Sequence, residues 1–315
     1  MSEQHNGEAP ILFVGIGAMG EPMAARLVAA GHGVVVTDVD EARAGEVARR
    51  IGATAATSDE AAGTLSAFDT VVLSLPSSPI VEYVLLGERG ILARLDPGSV
   101  VIDMSSSVPA STRRLAVAAQ ARDIAFIDAP VSGGVPKART GELTIMVGGE
   151  PTAVESRRAL LSAIGATITH VGASGSGHAM KALNNLLSAI GLIGAAEVLA
   201  TAAKFGIEPR TALDVLNAST GRNQATEVKY GRYVLSREFD SGFAMQLMVK
   251  DLRIALDIAH EAGVPVPMSA GALEEWSAAI GTLGNGADHT EIAEYVEQRA
   301  GVQLAEPRDL AGAGS

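Results

Sequence analysis

Lys181 and Asn185 stand four residues apart in a stretch rich in Ala and Leu, where Gly175-Ser176-Gly177-His178-Ala179-Met180-Lys181 runs on to Asn184-Asn185. At helical spacing their side chains share one face and can reach the same ligand. A lysine among apolar neighbours is poorly explained as a solvated charge. Burial disfavours an ammonium, so a buried amine can exchange protons nearer neutrality, as general acid and base work requires. The competing explanation is a structural ion pair. His178 opens the same helix, where a polar residue usually serves as a cap or a surface group, and no chemistry is assigned to it. Upstream, Asp128-Ala129-Pro130-Val131-Ser132-Gly133-Gly134 follows an apolar run. The glycines leave backbone N–H groups open to a carboxylate and Ser132 adds a hydroxyl donor, although an ordinary loop has the same composition. Lys250-Asp251, taken alone, reads as an exposed charge pair. No His, Asp and Glu spacing suggests a metal site, and no Gly-x-Ser-x-Gly elbow suggests acyl transfer.

A second constellation lies near the N-terminus. Gly15, Gly17 and Gly20, with Ala18 and Met19 between them, form G-x-G-x-x-G after a strand and at the start of a helix. The first glycine allows a tight turn, the second lets a pyrophosphate approach the backbone, and the third lets helix and strand pack closely. The helix N-terminus then faces the phosphates with free N–H groups and a partial positive charge. Asp38 ends the next strand 18 residues after Gly20. Its carboxylate can accept from both ribose hydroxyls and repels a 2′-phosphate, so NAD is preferred, while Arg43 nearby keeps NADP open. Glycines alone would mark only a tight turn, and Asp38 alone a helix cap. Strand, helix and acid in register carry the dinucleotide reading.

These residues need a scaffold, and 315 residues suffice for two ordinary domains. Hydrophobic residues make up 47% and aromatic residues 3%, which points to helices of Ala and Leu packed on a Val- and Ile-rich parallel sheet. A net charge of -12 argues against general affinity for nucleic acid or anionic membrane. The absence of cysteine removes disulfides, thiol catalysis and thiolate metal sites, and fits a cytoplasmic location. The first ten residues are polar and unlike an export signal, and the apolar run from Leu186 to Ala203 is broken by Gly, Ser, Glu and Thr, as in a buried helix.

Strands are expected at Ile11 to Ile16, Val34 to Asp38, Thr70 to Leu75, Ser99 to Asp103, Ile124 to Asp128, Thr144 to Val147 and Thr167 to Val171. Helices alternate with most of them. After Gly172 the pattern becomes wholly helical, with a long helix to about Phe205 and others at Pro209 to Asn217, Met245 to Ala262 and Pro267 to Ile280. The expected fold is α/β, an N-terminal Rossmann doubly wound sheet followed by an all-α domain built around the long interdomain helix. The expected division is a disordered lead at 1–10, the dinucleotide domain at 11–172, the helical domain at 173–303 and a flexible tail at 304–315.

At these residues the chain resembles the β-hydroxyacid dehydrogenase family, which includes 3-hydroxyisobutyrate dehydrogenase and 2-hydroxy-3-oxopropionate (tartronate semialdehyde) reductase. The likeness runs from about Ile11 to Ala300. It rests on Phe13 to Gly20, Asp128 to Gly134, Gly141-Glu142-Leu143-Thr144, Gly175 to Asn185 and Leu247 to Leu252, in that order. The resemblance implies that Lys181 is catalytic and that Ser132, Gly133, Gly134 and Asn185 hold the substrate. It also implies cofactor contacts at Leu75, Pro76, Ser106 and Lys250. Where relatives often carry Asn after that Leu-Pro, this chain has Ile80. The chain is also similar to 6-phosphogluconate dehydrogenase, but Asn184 stands where that enzyme has His. Imine reductases share the scaffold and usually replace the lysine.

The implied activity is hydride transfer between NAD, or NADP, and a small β-hydroxy acid, 3-hydroxyisobutyrate-like or 2-hydroxy-3-oxopropionate-like. A non-catalytic dinucleotide sensor is the alternative from another class. The implied partners are a small carboxylate and further copies of the chain, as homodimer or homotetramer, with Ala- and Gly-rich Gly191 to Ala196 permitting close helix packing. Ser219-Thr220-Gly221-Arg222-Asn223 is either a second anion contact or a helix-to-helix turn.

Overall fold

Runs rich in Val and Ile pair into one sheet, because β-branched side chains pack well on a pleated surface covered from both faces. The structure, a computed structural model, describes residues 9–305; the expected lead and tail lie outside these at 1–8 and 306–315. The chain forms two compact units, the first ending at Lys181 and the second beginning at Ala182.

The first unit begins β1 (Ile11–Val14), α1 (Gly20–Ala29), β2 (Val34–Thr37), α2 (Glu41–Ile51), β3 (Thr54–Ala55), α3 (Ser58–Gly63), β4 (Thr70–Leu73) and α4 (Ser78–Leu86). It continues through β5 (Val100–Asp103), α5 (Pro109–Gln120), β6 (Ala125–Asp128), β7 (Val131–Ser132), α6 (Gly134–Thr140) and β8 (Leu143–Gly148). It closes with α7 (Pro151–Ser156), α8 (Arg158–Ile164), β9 (Gly165–Gly172) and the start of α9 (Ser176–Lys204). The strand order is β3-β2-β1-β4-β5-β6-β8-β7, with β9 on β8. Strands β1 to β6 are mutually parallel, and β8 runs against β6 and β7. Alternate residues of β1 enter opposite cores, Ile11 and Phe13 one, Leu12 and Val14 the other, as the two-residue period of a strand requires. This is the Rossmann arrangement, and its order reverses between β1 and β4.

Two strands escape the sequence pattern. β3 and β7 have only two residues each, too few to show a period. Val131 and Ser132 pair with Ile145 and Thr144, so the segment expected to be only a loop carries an edge pairing.

The second unit holds the rest of α9, then α10 (Pro209–Asn217), a π-helix at Ala225–Val234, α11 (Met245–Glu261), α12 (Pro267–Leu283) and α13 (Ile292–Ala300). Its described residues include no strand, only one bridge between Ala244 and Asp288. α9 is long and apolar enough to cross a membrane by length and composition, yet Leu186, Leu192 and Leu199 pack into one core with Tyr230, Leu252 and Trp276. The glycines at 172, 175 and 177 suggest a division after Gly172, whereas the boundary between the compact units falls nine residues later, after Lys181. At the other end, Leu304 departs from the flexible tail expected to begin with it. It is buried, its N–H donates to Glu297 Oε1 at 2.6 Å, and Arg237 pairs with Glu297 and Glu294 beside it.

Tyr230 is fully buried and its hydroxyl donates to the Leu192 carbonyl of α9 at 2.7 Å. Tyr230→Phe removes that donor and keeps the ring, so urea denaturation is expected to show a loss of about 1 kcal/mol in the helical unit.

Candidate active site

Parallel strands end at one edge of the first unit, and the predicted cofactor residues other than Lys250 follow four of those ends. Gly15 to Gly20 follow β1, Asp38 follows β2, Leu75 and Pro76 follow β4, and Ser106 follows β5. The ladder continues past the strands, with Gly15 N–H donating to the Thr37 carbonyl and Ser74 N–H to the Val14 carbonyl, both at 2.9 Å. The crevice beyond such ends, at the order reversal, is where open parallel sheets bind ligands.

The three glycines divide their work. Gly15 has φ +95°, and a Cβ there would stand 2.3 Å from the Ser74 carbonyl oxygen. Gly20 opens α1, where a Cβ would meet the Gly15 carbonyl oxygen at 2.0 Å. At Gly17 a Cβ would meet nothing within 4 Å, so that approach stays open to the phosphates of a dinucleotide. These residues therefore fit the cofactor that the motif implies.

Asp38 does more than cap a strand. Its Oδ2 accepts the Ile16 N–H at 2.8 Å, and Oδ1 accepts Asp40 N–H at 3.0 Å and the Arg43 guanidinium at 2.8 Å. Burial alone would raise its carboxyl. The hydrogen bonds from Asp40, Arg43 and Ile16, with the Arg43 charge, more than offset this and hold it below the usual carboxylate range. A carboxylate has about four acceptor sites, and these bonds engage three of them. The same charge that repels a 2′-phosphate thus also tethers the glycine loop to β2.

Ser132 lies on β7, Gly133 follows with φ +132°, and Gly134 begins α6 with φ +68°. Both glycines are exposed. Lys181 is buried at 9% exposure on the second turn of α9.

The first turn of α9 is bonded to the sheet. Asp128 Oδ1 accepts Gly175 N–H at 2.8 Å and Oδ2 accepts His178 N–H at 2.9 Å. His178 is buried, correcting its reading as a cap or surface group. Its Nε2 lies 3.0 Å from the Ser105 carbonyl, which can only accept, so Nε2 carries the hydrogen and Nδ1 faces the Thr112 hydroxyl at 2.7 Å. Asp103 accepts Ser105 N–H and the Ser107 hydroxyl, ordering the loop that also holds Ser106. Asp103 and Asp128 are register partners at the ends of β5 and β6.

In the second unit, Asn185 Nδ2 donates to Asp251 Oδ2 at 2.6 Å, and Lys250 Nζ lies 3.4 Å from Asp251 Oδ1. Asp251 is buried at 2% exposure, so Lys250-Asp251 is not an exposed charge pair. An amide nitrogen carries two hydrogens, and Asp251 takes one of them. The sequence held a signal for Asp251. It falls three residues after Met248 and four before Ala255, on the apolar stripe of α11.

The chain is similar to known dehydrogenases along most of its length. Residues 10–172 match the family model described as the NAD binding domain of 6-phosphogluconate dehydrogenase. Residues 175–296 match the model described as NAD-binding of NADP-dependent 3-hydroxyisobutyrate dehydrogenase. The chain is 40% identical to a 2-(hydroxymethyl)glutarate dehydrogenase of Eubacterium barkeri, over 93% of this chain and 96% of that one. It is 40% identical to an NAD-dependent L-serine dehydrogenase of Pseudomonas aeruginosa, over 84% and 89% respectively. Among solved structures, Mycobacterium tuberculosis 3-hydroxyisobutyrate dehydrogenase with L-serine superposes with a TM-score of 0.83, at 29% identity over 92% of this chain and 99% of that one.

The glycine geometry separates folding from binding. Gly17→Ala is expected to melt like the wild type and to lose NAD binding in calorimetric titration, since only a ligand occupies that space. Gly20→Ala is expected to lose at least about 3 kcal/mol of stability through overpacking against backbone.

Proposed function

The chain belongs to the β-hydroxyacid dehydrogenase family of NAD(P)-dependent oxidoreductases acting on CH–OH groups, and we propose that it interconverts a 3-hydroxyisobutyrate-like β-hydroxy acid and its semialdehyde, with Lys181 as general acid and base. When bound, the nicotinamide ring supplies the hydride acceptor or donor. Ser132 Oγ, the Gly133 and Gly134 N–H groups and Asn185 hold the substrate carboxylate, which fixes the alcohol carbon for transfer. In oxidation Lys181 Nζ takes the hydroxyl proton; in reduction it returns a proton to the developing alkoxide. Lys250 faces the cofactor side, and Asp251 orients the Asn185 amide. NAD is preferred over NADP, because the Asp38 carboxylate is ionised and Arg43 is already paired with it.

The observation that carries this reading is Lys181 itself, an amine buried on a helix whose first turn is anchored by Asp128 and His178. It is withdrawn from water and rooted on a rigid element, as a proton-transfer group must be. In the second unit, the Asn185 amide held by Asp251 supports the carboxylate assignment. A 2-hydroxy-3-oxopropionate-like substrate offers the same carboxylate and alcohol to these groups and differs only in the remaining arm.

The helical unit also leaves apolar side chains uncovered. Leu187, Val198 and Phe205 are 73%, 51% and 85% exposed on and just after α9. Burial of such a face is favourable, so the chain is expected to assemble as a homodimer or homotetramer.

Lys181→Ala is expected to lower kcat by about 10²–10⁴-fold while NAD titration stays unchanged, measured as NADH formation over a panel of small β-hydroxy acids. Near-wild-type turnover would reject the role, and NAD binding without product from any acid would point to a sensor. Light scattering at micromolar concentration is expected to give a multiple of 32.2 kDa, and the single-chain mass would reject assembly.

A further inference from the structure

His178 makes one set of bonds with its backbone and another with its ring. The backbone N–H donates to Asp128 Oδ2 and belongs to the joint between β6 and α9. The ring reaches elsewhere, to the Ser105 carbonyl at 3.0 Å, 73 residues back along the chain, and to the Thr112 hydroxyl of α5 at 2.7 Å. Nε2 donates to the carbonyl, and the Thr112 hydroxyl, meeting Nδ1, fixes the ring plane.

Two of the expected cofactor contacts depend on the segment that the ring reaches. Ser105 Oγ accepts the Leu75 N–H at 2.9 Å, so the turns after β4 and β5 are pinned to each other. Asp103 holds the Ser105 N–H and the Ser107 hydroxyl, and Val108 N–H donates to Ser78 Oγ at the head of α4 at 2.7 Å. Leu75 and Ser106 therefore stand on one bonded platform. His178 is bonded to that platform at Ser105 and lies three residues before Lys181 on α9. One side chain thus spans from the loop expected to hold the cofactor to the helical turn that carries the amine.

Packing alone does not call for an imidazole there. Asp128 already roots the helix, and an apolar side chain would fill the space without the cost of withdrawing polar atoms from water. Nor is the ring held in an ion pair. Asp103 lies 3.8 Å from Nε2 and Asp128 3.9 Å from Nδ1, beyond hydrogen-bond distance, and each carboxylate has other donors. What the bonded ring adds is a fixed separation between loop and helix, and transfer chemistry depends steeply on such separations.

We propose that His178 is a positioning residue for proton transfer, and that its Nε2–H, donated to the Ser105 carbonyl, sets the loop of Leu75 and Ser106 at a fixed distance from Lys181. The inference rests on the dehydrogenase reading above, in which Lys181 moves the proton. The His178 side chain is fully buried, so it acts through Lys181 and the loop and not by touching substrate.

The test uses two replacements that divide the ring. Gln carries its amide nitrogen about as far from the backbone as imidazole Nε2, and Asn only as far as Nδ1, so His178→Gln keeps a donor for the Ser105 carbonyl and His178→Asn loses it. Activity is read as NADH formation by the full chain with the best acid of the panel above. His178→Asn is expected to lower kcat by about tenfold to a hundredfold, the effect of a misplacement of about 1 Å. In calorimetric titration it is expected to weaken NAD binding by about threefold or more, because the loop must then be ordered on binding. His178→Gln is expected to keep both quantities within about threefold of the wild type. Added to Lys181→Ala, the Asn replacement is expected to change kcat by less than about threefold while still weakening NAD binding, since residues that act as one unit are not additive. Circular dichroism checks that each variant is folded. A folded His178→Asn with wild-type kcat or wild-type NAD affinity overturns the inference. A folded His178→Gln that loses more than about tenfold in kcat also overturns it, and needs no folded Asn variant. So does a further loss of about tenfold when Asn is added to Lys181→Ala. Each of these outcomes leaves the dehydrogenase reading intact. Wild-type turnover in Lys181→Ala, or no NADH from any acid with the wild type, overturns that reading and this inference with it.

Discussion

The Asp128 carboxylate stands at the end of β6 and accepts the Gly175 and His178 N–H groups that open α9, so the placement of Lys181 depends on one buried anion. The first N–H groups of a helix have no partner inside it, and the helix end carries partial positive charge. A carboxylate satisfies both at once. The close fit of Gly177 completes the joint, because a Cβ there would stand 2.4 Å from the Met146 carbonyl oxygen and 2.7 Å from that of Asp128. His178 adds a cross-brace to the Ser105 carbonyl and the Thr112 hydroxyl. The result is a helix rooted in the sheet, with the Lys181 amine a single turn beyond the root.

The same device recurs through the molecule. Asp38 ties the glycine loop to β2, Asp251 holds the Asn185 amide, and Asp288 with Ser241 backs His289. In each case a buried acid gathers several donors, which offsets the cost of withdrawing it from water. In each case it also fixes the position of the groups that donate to it.

Division of labour between the units follows from their architectures. A parallel sheet aligns its strand ends at one edge, and dinucleotide contacts need a broad row of backbone groups there. Helices present side chains at regular steps, and α9 places Lys181 and Asn185 four residues apart. Relatives on this scaffold are dehydrogenases of different small hydroxy acids.

Patterns that repeat locally could be read from the chain without its fold. The alternation of short Val- and Ile-rich runs with helices, the glycine motif with Asp38 in register, and the four-residue step from Lys181 to Asn185 all depend on fixed strand and helix periods. The buried acids could not be placed in that way. Asp103, Asp128 and His178 meet only because strands β5 and β6 end side by side, a matter of register between segments distant in sequence. Asp251 showed on its helix as an acid on an apolar stripe, but its partner Asn185 lies 66 residues away. Lys229 and His289 meet at 2.7 Å across 60 residues of chain and gave no shared pattern at all. Local periodicity selects the elements and the residues able to do chemistry. Which polar groups face one another is decided by long-range packing, since a hydrogen bond requires donor and acceptor to meet within about 3 Å and no sequence interval records that distance.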